Sequence, residues 1–202
     1  MKKKYIIYAL IGLILIQIYS IYNLRRINKA LIEANESSLD FAKMWQLLSL
    51  DYLASIKSEG YKLPEGIILE TRFHEKVSLD SLLTTGPKFL VRYSISACPA
   101  CLEQQIPEIN NLSDSIGKEN IIFISPYDSP RNIEVIEKKL QPKYDIYMLT
   151  GWNSQIENIA ETEMFIITPD RVAKHIYIPR KEMPTHLSEY LEFIKCQFNH
   201  LK

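Results

Sequence analysis

The sequence has little cysteine and no excess of charge of either sign. Its 202 residues include 3 cysteines, too few for the disulfide framework of a small secreted domain. Lysine and arginine together number 24, as do aspartate and glutamate, so no positive surplus is available to hold a polyanion. The composition therefore excludes a disulfide scaffold, argues against nucleic acid as a partner, and suits one globular domain with a short appendage.

Charge is absent from one long stretch near the N-terminus. Residues 5–24 contain no charged side chain, and a helix of that length spans roughly 30 Å, one bilayer crossing. Tyrosines lie near both ends of the run, and lysines and arginines flank it, as at membrane interfaces. The run predicts a transmembrane signal-anchor helix. A cleaved signal peptide is the alternative, although the run is longer than an h-region and no small-x-small site follows it.

Proline and glycine are missing between Arg25 and Gly60, which predicts a helical connector over residues 25–60. Its apolar residues recur in steps of three and four, with Ser38 as the gap. They are Ile27, Leu31, Ala34, Phe41, Trp45, Leu48 and Tyr52. Two interpretations stay open: the part from Leu39 packs onto the following domain, or the connector forms a short coiled coil that dimerises the anchor.

Residues 61–202 alternate between strand and helix patterns. Predicted strands lie at 67–69, 88–95, 121–124, 145–149, 165–167 and 173–178, and predicted helices at 78–83, from 98 to about 112, at 132–140 and at 185–198. The last two strands read as an antiparallel hairpin across the turn at 168–171. The pattern predicts an α/β domain with a mixed central sheet flanked by helices on both faces.

Two of the three cysteines form the motif Cys98-Pro99-Ala100-Cys101, where a strand turns into a helix. Because a helix N-terminus favours negative charge, a thiol at Cys98 would have a lowered pKa and a larger fraction of reactive thiolate. Cys101, one helical turn later, could attack a mixed disulfide formed at Cys98. We therefore expect Cys98 to be the nucleophile and Cys101 the resolving thiol, with Pro99 suited to the first turn.

A metal site is the alternative use of a Cys-x-x-Cys pair. It would need two more ligands, which Cys196 and His200 could supply from the final helix at i and i+4. Cys196 lies among apolar residues, so burial as a small hydrophobic residue is the expected outcome. We therefore expect no metal and no other cofactor.

The order of these features over about residues 63–198 resembles the TlpA/ResA-type branch of the thioredoxin superfamily. The likeness rests on a short hairpin, the segment 77–83, a buried strand, a Cys-Pro-x-Cys motif and a helix containing Pro107. It implies a three-layer thioredoxin-like fold and a membrane-attached enzyme that reduces disulfides of extracytoplasmic partner proteins with electrons from a membrane donor. Residues 1–4 would then be a cytoplasmic tail, with the domain facing the periplasm or the cell exterior.

Three positions depart from that family. Ala97 stands where an aromatic residue commonly precedes the first cysteine, and Arg92 stands where an Asp or Asn is frequent. If Arg92 faces the site, its charge would favour thiolate but could not relay protons. Thr162 falls where the family's substrate-facing cis-proline is expected. Pro107 also lies one residue later than usual.

These residues predict a thiol-disulfide oxidoreductase that cycles Cys98 and Cys101 between dithiol and disulfide. The alternative is a thioredoxin-like binding or redox-sensing module that forms the same disulfide with little turnover, and the loss of the proline at Thr162 favours it. A metal-binding role is the third possibility.

Overall fold

The computed structural model describes residues 2–93, 99–125, 129–149 and 162–201, with the side chains of 2–14, 16, 36, 37, 99, 199 and 201 left aside. The chain divides into two compact units, Met1–Ser49 and Leu50–Lys202. The first unit consists of helix. The second unit contains the sheet and the cysteine motif.

The second unit contains both helices and strands. The helices are α1 (Lys2–Ser58, which begins in the first unit), α2 (Leu79–Leu83), α3 (Pro99–Ile116), α4 (Pro130–Leu140) and α5 (Pro184–Leu201), with a short 3-10 helix at Lys118–Asn120. The strands are β1 (Ile68–Glu70), β2 (Lys76–Ser78), β3 (Lys88–Tyr93), β4 (Ile121–Ser125), β5 (Ile146–Leu149), β6 (Thr162–Ile167) and β7 (Ala173–Tyr177).

Within the described ranges the strands form one mixed sheet in the order β2-β1-β5-β4-β3-β6-β7. Strand β3 pairs in parallel with β4, and β4 with β5, whereas β6 runs antiparallel to both β3 and β7. All six residues of β3 are buried, as expected for a strand with both faces covered. The predicted hairpin at the C-terminal end is confirmed as β6 and β7.

Alternate side chains of β3 enter two separate apolar cores. Phe89, Val91 and Tyr93 pack with α3, α4 and α5 on one face. Leu90 packs on the other face in a cluster that includes Ala54 of α1 and residues of α2. The sheet is therefore the middle of three layers, which confirms the predicted α/β architecture.

The last turns of α1 belong to this second unit and bury one narrow stripe. Asp51, Ala54 and Ser58 are buried, whereas Leu50 and Leu53 are each 50% exposed. Within residues 50–58, the buried positions follow a spacing of three and four residues on one side of the helix. Leu50 and Leu53 lie outside this stripe.

No helix in the described part of the chain combines the length and the apolar character that crossing a membrane requires. The span predicted at residues 5–24 is therefore not supported by this finding. Most of its side chains lie outside those that the structure describes.

Candidate functional site

The cysteine motif follows the central strand of the sheet. Strand β3 ends at Tyr93 and α3 begins at Pro99, so the strand-to-helix order that the sequence predicts is present. Residues 94–98, with Ala97 and Cys98 among them, lie outside the described residues. Ala100 is exposed on the first turn of α3.

Cys101 occupies the first turn of α3 and is 8% exposed. The next apolar residues of the helix, Leu102, Ile106 and Ile109, are buried against the sheet, which holds the first turn against the strand that precedes it. Proline at the first helical position suits this start, because its missing N–H would have no partner there.

A polar pair lies in the core one helical turn beyond Cys101. The hydroxyl of Tyr93 donates a hydrogen bond to Oε1 of Gln105 at 2.5 Å, and both side chains are buried. Burial raises the pKa of Tyr93 well above its ordinary value of 10.0, and charge repulsion from the ionised forms of Tyr144 and Cys101 adds to the rise. The phenol therefore stays protonated and can donate throughout the physiological pH range.

A cavity of about 240 Å³ lies beside Cys101. Its lining is formed by Cys101, by Thr162 and by residues 178–182, which connect β7 to α5. Thr162 is the first residue of β6, is 4% exposed, and pairs in register with Tyr93 at the end of β3. The structure thus brings Thr162 and Cys101, which are far apart in the sequence, to the same cavity.

An ion pair joins the segment 178–182, which forms one wall of the cavity, to α1. Arg180 donates from Nε to Oδ2 of Asp51 at 2.7 Å and from Nη2 to Oδ1 at 2.6 Å. This two-point contact fixes the orientation of the guanidinium as well as its position. Because Pro179 and Lys181 flank Arg180 in the same wall, the ion pair restrains the segment that faces the thiol.

Arg92 lies away from the cavity. It alternates along β3 with Tyr93, so its side chain is on the face opposite α3. There its Nη1 lies 3.3 Å from Oε1 of Glu163, and both side chains are buried. Glu163 is its registered partner on β6. Arg92 would favour a thiolate only if its side chain faced the site. The structure shows that it does not.

Cys196 is exposed on α5, so its predicted burial is wrong. The apolar positions around it divide between the faces of the helix: Ile194 and Phe198 are fully buried, whereas Phe193 is 42% exposed. Among the described residues, which exclude Cys98, no group of three or more His, Cys, Asp or Glu side chains could hold a metal ion.

Sequence reasoning missed Asp51, Gln105 and the segment 178–182 as parts of this region. For Asp51 the sequence signal is an acidic residue within an apolar stretch of helix, since a carboxylate that becomes buried there needs a partner. The proline after β7, Pro179, marks the end of that strand. Neither signal shows which element lies opposite Cys101.

No protein-family model matches the chain, and no curated protein matches it. Several solved structures are similar to the chain. The peroxidoxin BcpB of Mycobacterium tuberculosis shares 14% identity over 72% of this chain and 98% of its own, with a TM-score of 0.52. A Bacteroides thetaiotaomicron protein assigned as a protein disulfide isomerase shares 15% over 71% and 89%, with a TM-score of 0.51.

A third solved structure, a mutant of PrxQ from Xylella fastidiosa, shares 16% identity over 69% of this chain and 96% of its own, with a TM-score of 0.50. Identities at this level establish the fold and not the activity. The helices, the mixed sheet and these neighbours together show that the domain has a mixed α/β, thioredoxin-like fold.

Proposed function

We propose that this protein is a membrane-anchored thiol-disulfide oxidoreductase that exchanges disulfides with extracytoplasmic partner proteins through Cys98 and Cys101. One observation carries the proposal. Cys101 lies in the first turn of a helix that follows the central strand, and it lines a cavity together with Thr162. The structural neighbours support it, since two are described as a peroxidoxin and a disulfide isomerase.

The reaction proceeds in two exchanges. The Cys98 thiolate attacks one sulfur of a partner disulfide, forms a mixed disulfide and releases the other partner sulfur as a thiolate. The Cys101 thiolate then attacks the Cys98 sulfur and releases the second partner thiolate. Two electrons pass to the partner and a Cys98–Cys101 disulfide remains. A membrane-bound dithiol donor reduces that disulfide, and the reverse sequence oxidises a partner.

The environment of Cys101 suits the second exchange. The helix N-terminus favours the thiolate form of a thiol in the first turn, which is the form of Cys101 that attacks. The buried pair of Tyr93 and Gln105 adds no formal charge next to the thiol, because burial keeps the Tyr93 phenol protonated. The cavity beside Cys101 leaves room for a segment of a partner chain.

The proposed anchor and location rest on the sequence. The uncharged run at residues 5–24 is long enough for one bilayer crossing, and disulfide exchange requires a compartment in which disulfides persist. We place residues 1–4 in the cytoplasm and the domain in the periplasm or at the cell exterior. The protein is then attached to the cytoplasmic membrane, where a membrane-bound dithiol donor would reduce its disulfide.

The test is to trap mixed disulfides in cell-envelope extracts with the full chain carrying Cys101→Ser. A partner captured at Cys98 cannot be released without the resolving thiol, so discrete adducts that dithiothreitol removes are expected. The double variant Cys98→Ser/Cys101→Ser is the matched control, and because both chains retain the exposed Cys196, only adducts that are absent from this control count as captured at Cys98. Absence of adducts from Cys101→Ser, together with no dithiol-dependent reduction of insulin by the unmodified chain, would reject the proposed activity.

A binding or redox-sensing module is the second candidate, and Thr162 favours it. The residue lines the Cys101 cavity at the place where the related family presents a proline to the substrate. A sensor would form the Cys98–Cys101 disulfide stoichiometrically on oxidation but reduce insulin no faster than the Cys98→Ser/Cys101→Ser control.

A further inference from the structure

The first unit contains a heptad repeat that runs through α1 from Leu24 to Leu48. Written as abcdefg, the a and d positions follow alternating steps of three and four residues without interruption, which is the spacing of a coiled-coil seam. The a and d residues are Leu24, Ile27, Leu31, Ala34, Ser38, Phe41, Trp45 and Leu48. The helix is continuous over this stretch.

Every charged residue in the same stretch falls outside the seam. The charged residues occupy only b, c and f positions, on the far side of the helix; they are Arg25, Arg26, Lys29, Glu33, Glu36, Asp40 and Lys43. Two ion pairs lie there, Lys29 with Glu33 at 3.8 Å and Asp40 with Lys43 at 3.9 Å. Ile32, Leu39 and Leu47 also occupy b or c positions and are exposed, so the far side is mixed in character, whereas the seam contains no charged residue.

The seam carries large apolar side chains that the chain leaves uncovered. Leu24 and Leu31 are each 63% exposed, Phe41 is 62% exposed and Trp45 is 58% exposed. Single exposed apolar residues are common on protein surfaces, but a row of large apolar residues along one seam, broken only at Ala34 and Ser38, marks an interaction surface.

The flanking e and g positions indicate which partner fits. In coiled coils these positions select partners through complementary charges. Here they hold Asn28, Ala30, Asn35, Ser37, Ala42 and Met44, none of which is charged. Two identical seams therefore meet without like-charge repulsion, and no charge pattern selects a different protein.

We infer that α1 pairs with α1 of a second copy of this chain through the seam from Leu24 to Leu48. The two helices run parallel and in register, so Leu31 lies opposite Leu31 and Trp45 opposite Trp45. The parallel orientation rests on the proposed membrane anchor, since residues 5–24 of both copies would enter the same bilayer from the same side.

Site-specific cross-linking of the full chain tests this inference. All three native cysteines are replaced by serine, and single cysteines are introduced at a seam position, as Leu31→Cys or Trp45→Cys, or at an outer f position, as Lys29→Cys or Lys43→Cys. Each variant, dilute in detergent micelles, is oxidised with copper-phenanthroline and analysed on non-reducing gels. Both seam variants should form covalent dimers several-fold more than the outer variants.

Three outcomes would overturn the inference. Equal yields at seam and outer positions would mean random collision, and no dimer at either seam position would mean that the seam is unpaired in this way. Cross-linking of Ser38→Cys, near the centre of the repeat, without that of Leu31→Cys and Trp45→Cys would mean antiparallel helices. Because every variant lacks Cys98 and Cys101, the yields do not depend on redox activity, and failure here leaves the trapping experiment unaffected.

Discussion

The ion pair between Asp51 and Arg180 should hold the wall of the Cys101 cavity in place. The Asp51 side chain is 8% exposed and that of Arg180 28% exposed, and two hydrogen bonds of 2.6 and 2.7 Å join them. Because the carboxylate is buried more deeply than the guanidinium, removing Arg180 and removing Asp51 should lower the free energy of unfolding by different amounts.

Arg180→Met should be the more damaging change. It leaves the Asp51 carboxylate in the interior without its main cation, and breaking a buried pair in this way costs about 3–5 kcal/mol. Asp51→Asn leaves an amide that can still accept from a guanidinium with partial access to water, so we expect a loss of about 1.5–3 kcal/mol, the range of a charge-assisted hydrogen bond.

The assay is urea unfolding of the full chain followed by near-ultraviolet circular dichroism. This signal reports the packed tyrosines of the domain, such as Tyr93 and Tyr190, whereas α1 contributes heavily to the far-ultraviolet signal. Lys138→Met is the matched control, because it breaks an ion pair with Glu134 in which the side chains are 76% and 51% exposed. Exposed pairs of this kind contribute about 0–1 kcal/mol.

A second readout connects the pair to the cavity. In a background of Cys98→Ser and Cys196→Ser, Cys101 is the remaining thiol, and its rate of alkylation by iodoacetamide reports access through the wall at 178–182. Arg180→Met should increase that rate. The reasoning is refuted if Arg180→Met costs no more than Lys138→Met and leaves the alkylation rate unchanged.

Two further changes test the surroundings of the motif. Tyr93→Phe should lower the free energy of unfolding at pH 7 by about 1 kcal/mol, because Gln105 loses its hydrogen bond. It should also flatten the alkaline loss of stability: the folded pKa of Tyr93 is raised, so its contribution is fully present below the unfolded pKa of about 10 and falls as pH rises above it. Urea titrations from pH 7 to 11 measure both effects. Thr162→Pro should raise the rate of dithiol-dependent insulin reduction if the missing proline limits turnover, and an unchanged rate with the fold intact would show that it does not.

Local pattern was sufficient to predict the sheet and the helices beside it. Residues 121–124 are four apolar residues in a row, and the strand observed there is Ile121–Ser125. On α3, Leu102, Ile106 and Ile109 recur at helical spacing and are buried. These features depend on neighbours within one element, so the order of apolar and polar residues determines them.

The surroundings of Cys101 depend on elements far apart in sequence. Thr162 was identified through the family resemblance, and it does line the cavity with Cys101. Arg180 and Asp51 are 129 positions apart, and no spacing rule connects them. The same limit explains why the exposure of Cys196 was not predicted. Apolar residues at 193, 194 and 198 do not reveal whether position 196 lies on the core side of the helix.

Two of the positions that differ from the family which the sequence resembles are neighbours in the sheet and are physically connected. Thr162 pairs with Tyr93, and the next residue, Glu163, pairs with Arg92. A buried guanidinium on β3 requires an acid within reach, and the register of β6 supplies one. Changing Arg92 to the acidic residue frequent in the family would therefore place two carboxylates opposite each other in the interior, where like charges are costly. Arg92 and Glu163 must then change together, and Glu163 follows Thr162 directly at the start of β6. Thr162 lines the Cys101 cavity, whereas Glu163 alternates to the opposite face and pairs with Arg92.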